Sequence, residues 1–149
     1  MTKTIIYLAS DHAGFMLKAQ LVKFLARQAV DLGPATYQPQ DDYPDYASRL
    51  ARQVVKTHSR GILICRNGVG VCIAANKING VRAVNACSVA LAKSSRRDDD
   101  TNILCLGQDF VLFSQAKKII ATWLTTEFSG QKRHRRRLKK ITALEHGQR

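Results

Sequence analysis

The stretch GILICRNGVGVCIAANK, residues 61–77, holds a thiol at the edge of a glycine loop. An apolar run stops on Cys65, and Gly68 and Gly70 follow it. Glycines so placed let the backbone turn tightly, so that successive N–H groups face one concavity, and a helix starting near residue 70 would aim its positive end at the same point. Such a cradle suits an anion. A thiolate is favoured beside it and can act as base or nucleophile, whereas a cysteine ending an apolar strand can equally be inert packing. Both readings stay open on these residues alone. The loop is not a dinucleotide fingerprint, which needs a third glycine and follows a first strand, nor a P-loop, which needs Gly-Lys-Ser/Thr.

Asp11 and His12, in SDHAG, set an acid beside an imidazole. The histidine could contact a phosphate and the carboxylate a sugar hydroxyl, or the pair could serve only to make a turn. Tyr43 precedes Pro44, where a helix can begin with Asp45 and Tyr46 in its first turn. Arg133 and Arg137 are one helical turn apart, so both guanidinium forks can meet a single phosphate.

These residues need a frame. Apolar runs of strand length at 4–10, 29–33, 61–65, 81–86 and 102–107 alternate with segments of helical period, the pattern of a parallel sheet covered by helices. In residues 14–28, Met16, Leu17, Leu21, Phe24 and Leu25 make one apolar stripe. Five strands joined by helical crossovers predict a doubly wound, Rossmann-like α/β fold with helices on both faces and ligands at the carboxyl ends of the strands. SDHAG, CRNGVG, CSV and GQD stand at those ends. After Ser129 and Gly130 a terminal helix is expected, with Leu138, Ile141 and Leu144 along one edge. That edge is too small to anchor the helix alone, so it is expected to pack on a partner subunit.

With 149 residues, the chain is expected to form one domain over 1–149, its last stretch, 132–149, a basic helix and tail. No apolar run approaches the ~20 residues of a membrane span, and the first apolar run is too brief for a signal segment. Cys65, Cys72, Cys87 and Cys105 form no CxxC pair and lie far in sequence from the four histidines, so neither a zinc site nor a disulfide framework is suggested and a reducing cytoplasm is the default. Cys72 and Cys105 read as core. The net charge of +13 is concentrated in KRHRRRLKK, residues 132–140, with seven Lys or Arg. That run can serve a phosphorylated ligand, a nucleic acid or only a solvated face; without aromatic interleaving, nucleic acid is the least supported partner.

Taken together, ASDHAGF, DYPDYA, GILIC, the GxG followed by IAANK, NILCLG and RHRRRLKKI resemble the ribose-5-phosphate isomerase type B and galactose-6-phosphate isomerase family, over about residues 4–141. The resemblance implies interconversion of an aldose phosphate and a ketose phosphate through an enediolate, without metal or organic cofactor, at a site between two subunits of a homodimer or a larger assembly such as a tetramer. It implies Cys65 as the base that moves a proton between C1 and C2. Another branch uses a glutamate at the position of Val71, which cannot take a proton. The amides of residues 66–70, with Arg66, Asn67, Gly68, Val69 and Gly70, would stabilise the enediolate oxygen. His12, Arg133 and Arg137 would grip the phosphate, and Asp11 and Tyr43 would reach sugar oxygens.

The chain also departs from that pattern. Where the family reads REHNDAN, with a histidine that opens the sugar ring and an asparagine that touches substrate, this chain has RRDDDTN, which puts Asp98 and Asp99 at those positions. Asp98 is then the expected ring-opening acid or base. CGTG becomes CRNG, so that Asn67 would replace a threonine hydroxyl, and Asp109 stands where an arginine is common. Ribose 5-phosphate is the expected substrate. The alternatives are a hexose phosphate (galactose 6-phosphate or allose 6-phosphate) and a catalytically impaired relative that only binds sugar phosphate.

Overall fold

A computed structural model describes residues 4–147. Five strands, β1 (Ile6–Ser10), β2 (Ala29–Asp31), β3 (Arg60–Cys65), β4 (Ala83–Asn85) and β5 (Ile103–Gly107), form one parallel sheet in the order β2-β1-β3-β5-β4. The central strands are buried along their length, which is why they read as continuous apolar runs with no alternation. β2 and β4 are shorter than the runs that predicted them, because each sits at an edge with one neighbour only.

Two apolar layers cover the sheet. On one face α1 (Phe15–Leu25), α4 (Val89–Asp99) and α5 (Phe113–Thr125) pack Leu17, Leu21, Ala92, Ile119 and Trp123 onto Ile6, Leu8, Ile62, Ile64, Leu104 and Leu106. On the other, α2 (Tyr43–Thr57) and α3 (Val69–Ala75) pack Leu50, Val54, Val71 and Ala75 onto Tyr7, Ala9, Leu63, Cys65 and Cys105. Successive strand residues thus point to opposite layers. Burial of each large side chain contributes about 1.5–3 kcal/mol. Trp123 is fully buried, and its Nε1 donates to Thr101 Oγ1 at 2.9 Å, so the one polar atom of the ring is satisfied.

The stripe predicted for α1 is narrower than its sequence suggested. Leu17, Leu21 and Leu25, spaced by four, are buried, whereas Met16 and Phe24 are exposed at 65% and 44%. Phe24 meets the edge of the Phe113 ring and the Lys117 ammonium on the outside of the layer. Cys105 is buried as predicted, and Cys72 is only half-buried.

The terminal helix α6 (Lys132–Glu145) lies against the C-terminal end of α4. Ser129 N–H donates to the Arg97 carbonyl at 2.9 Å, Arg96 Nε to the Thr126 carbonyl at 3.3 Å, and the Glu145 carboxylate accepts Gly80 N–H at 2.8 Å. These anchors belong to the segments that lead into β5 and β4, so α6 is fixed to the amino-terminal edge of the sheet. Ile141 and Leu144 remain exposed on it. Among the described residues no helix is long and apolar enough to cross a membrane.

Candidate active site

Asp11 and His12 follow β1, and Cys65 ends β3, its direct neighbour, with Ser10 paired to Ile64. Helices leave these two strands toward opposite faces, so the crevice between their carboxyl ends is the switch point where open α/β sheets bind ligands. Asp11 accepts Gly14 N–H at 3.1 Å and closes the 3-10 turn His12–Gly14. Burial raises its carboxyl above the ordinary value, partly offset by that hydrogen bond and by His12.

Cys65 is 4% exposed, and its sulfur is not sealed in hydrocarbon: Gly68 donates its backbone N–H to Sγ at 3.2 Å. Gly68 holds φ at +77°, and a Cβ there would run into the Asn85 side chain, so the turn that brings this amide to sulfur is open to glycine alone without strain. Asn67 organises the same loop. Its Oδ1 accepts Val69 N–H at 3.0 Å and its carbonyl accepts Asn85 Nδ2 at 3.1 Å. The helix that follows starts at Val69 and has only seven residues, so its first amides matter more than a long macrodipole. Val71 is fully buried in the core beneath the loop, with no group that could take a proton.

Tyr43 opens α2 and its ring lies over Gly70, where a Cβ would come within 2.6 Å of the ring. Arg66 and Asp109, two of the departures from the family pattern, meet each other: Nη1 lies 3.4 Å from Oδ2 on the exposed rim between β3 and β5. Asp109 N–H also donates to the Arg66 carbonyl at 3.0 Å.

One residue at this edge went unread in the sequence. Asp41, just before α2, accepts both the backbone N–H of His12 at 2.9 Å and its Nδ1 at 2.8 Å on the same oxygen. Burial, and after it the Asp41 carboxylate, hold the Tyr46 phenol above the ordinary value.

The other expected residues lie elsewhere in the chain. Asp98 faces Arg97, with Nε–Oδ1 2.8 Å and Nη2–Oδ2 3.2 Å, and its carboxyl is held below the ordinary value by that hydrogen bond and charge. Asp99 is exposed, its carbonyl accepting Arg82 Nε at 3.1 Å. Arg133 and Arg137 project from α6 into solvent, both exposed, at the amino-terminal edge. Within one chain the thiol and the arginine fork therefore sit at opposite ends of the sheet. Among the described residues no group of three or more His, Cys, Asp or Glu could hold a metal ion.

The profile of the ribose/galactose isomerase family matches residues 6–141. The chain belongs to this family. It is 45% identical over 144 residues to the probable ribose-5-phosphate isomerase B of Mycoplasma pneumoniae, covering 94% of each chain. It is 34% identical over 129 residues to the D-erythrulose-4-phosphate isomerase of Pectobacterium atrosepticum, covering 84% of this chain and 85% of the relative. The crystal structure of ribose-5-phosphate isomerase B from Mycoplasma genitalium with bound ribulose-5-phosphate superposes with a TM-score of 0.90 at 42% identity, over 98% of this chain and 99% of that one. By class, then, the chain is a sugar-phosphate isomerase, and its fold is that of the family.

Proposed function

We propose that the chain interconverts ribose 5-phosphate and ribulose 5-phosphate through an enediolate, with Cys65 as the base between C1 and C2. The observation that carries this reading is the Gly68 N–H on the Cys65 sulfur at 3.2 Å, in a loop whose other amides can meet the developing oxyanion. A relative with bound ribulose-5-phosphate and near-complete overlap supports the pentose.

Arg133 and Arg137, the arginine pair suited to the substrate phosphate, lie at the opposite edge of the same chain. In the proposed assembly a second copy brings Arg133 and Arg137 of its α6 to the phosphate, which His12 of the first copy also grips, while Asp11 and Tyr43 of the first copy reach sugar oxygens. Exposed apolar side chains at the carboxyl edge, Met16 at 65%, Phe110 at 68% and Leu112 at 70%, supply surface for that copy to cover.

A panel of tetrose, pentose and hexose phosphates assayed for aldose–ketose interconversion tests the reading. Turnover is expected to be fastest with ribose 5-phosphate; hexose preference would reassign the substrate. The second reading, a binding relative without turnover, is favoured by the commitment of Asp98 to Arg97. It predicts calorimetric binding of sugar phosphate with no conversion.

A further inference from the structure

Arg60 opens β3 and Cys65 closes it. At the Arg60 end, a cavity of about 400 Å³ lies between the end of α2 and the segments that enter β3, β4 and β5. That volume falls in the range of small-molecule sites, roughly 300–1,000 Å³. Arg60, Arg82 and Arg96 line it together with Ser59 and the exposed His58, against a single carboxylate, Asp100.

Asp100 is committed to two of these arginines. Its Oδ1 accepts Arg96 Nη1 at 2.7 Å, and its Oδ2 accepts Arg82 Nη2 at 3.1 Å. Arg60 makes no ion pair among the described residues, and its Nη1 donates to the Leu124 carbonyl at 2.7 Å. Arg60 Nε and Nη2 and Arg96 Nη2 have no acceptor among those residues. Both guanidinium groups lie on one indole, with Cζ 5.6 Å and 6.0 Å from the centre of the Trp123 ring. Burial, and after it the Arg96 charge, push Arg60 below the ordinary value, against the smaller pull of Asp100 and Glu127. An oxyanion held by the two forks would offset that repulsion and accept the spare N–H groups.

We propose that this cavity is a second anion site, in which Arg60 and Arg96 bind a phosphate-sized oxyanion: inorganic phosphate or the phosphoryl group of a small metabolite. The same guanidinium groups hold the chain where α5 ends, Arg60 on the Leu124 carbonyl and Arg96 Nε on the Thr126 carbonyl at 3.3 Å. The site therefore adjoins the segment that leads into α6. It stands at the other end of β3 from Cys65 and does not depend on the isomerase reading above.

Trp123 is the one tryptophan of the chain, and it touches both guanidinium groups, so its fluorescence reads this cavity directly. Titration of the full chain with inorganic phosphate at fixed ionic strength is expected to give a saturable change in emission. The response should persist in Arg137→Ala, and in Arg60→Gln its affinity should fall about 10-fold. No saturable change, equal affinity in Arg60→Gln, or loss of the response in Arg137→Ala overturns the proposal. Should Arg60→Gln fail to fold, His58→Asp sets a negative charge at the same cavity and leaves the contacts of Trp123 in place. It is expected to weaken phosphate, and undiminished affinity in that chain counts equally against the site. Glycerol phosphate, titrated in parallel, separates the two sources. Tighter binding than inorganic phosphate assigns the site to a phosphorylated metabolite, tighter binding of inorganic phosphate assigns it to the free ion, and either result upholds the site.

Discussion

Gly68 donates its backbone N–H to the Cys65 sulfur at 3.2 Å, and the left-handed φ of +77° at Gly68 is what aims that amide. A side chain there meets Asn85 and comes within 3.0 Å of the Leu106 backbone. Gly68→Ala is expected to cost about 1–3 kcal/mol in chemical denaturation and to lower kcat by displacing the amide. Unchanged stability and turnover would mean that the loop geometry does not support the thiol.

Gly70 tests a different contact. Its Cβ would fall 2.6 Å from the Tyr43 ring, the far end of a side chain that is 39% exposed and free to turn away. Gly70→Ala is therefore expected to keep stability within about 1 kcal/mol of the parent while raising KM. An unchanged KM would remove Tyr43 from the substrate.

Asp98 carries a pH signature. Its carboxyl titrates below the ordinary 3.8 because Arg97 donates to it and lies beside it. A carboxyl depressed in the folded state stabilises the fold above the unfolded value, and that contribution is lost as pH falls through the folded midpoint. The pair is exposed, so the effect on unfolding is small. Carbon NMR should find the Asp98 midpoint below 3.8 and see it rise toward that value in Arg97→Gln. A midpoint unmoved by the substitution contradicts the pairing and returns Asp98 to the set of proton donors.

The separation of Cys65 and Arg137 at opposite edges of one chain makes a shared site testable by mixing. Cys65→Ala and Arg137→Ala chains, each inactive alone, are expected to recover about a quarter of the parent activity when refolded together, since half of the dimers are mixed and each mixed dimer has one intact site. No recovery, with mixed dimers demonstrated, would place both residues in the same subunit's site.

Much of this was legible in the sequence, and the exceptions have a common cause. The apolar runs ending on Ser10 and Cys65 declared buried parallel strands, and the glycines after Cys65 declared the loop. Met16 and Phe24 were misread because periodicity marks a stripe but not its width. Asp41 lies 29 residues from His12, and only the return of the chain from β2 to the start of α2 brings the carboxylate onto the imidazole. The pairing of Arg66 with Asp109 depends on β5 lying beside β3, an order the succession of elements does not reveal. The commitment of Asp98 to Arg97 is equally hidden, since adjacent helical residues do not ordinarily face each other.

The central claim is that the Cys65 thiol moves the proton. Steady-state assay of Cys65→Ala with ribose 5-phosphate, alongside calorimetry with the same sugar, addresses it directly. The account predicts a loss of turnover of about 10³-fold with binding retained. Turnover by Cys65→Ala comparable to that of the unaltered chain would contradict it.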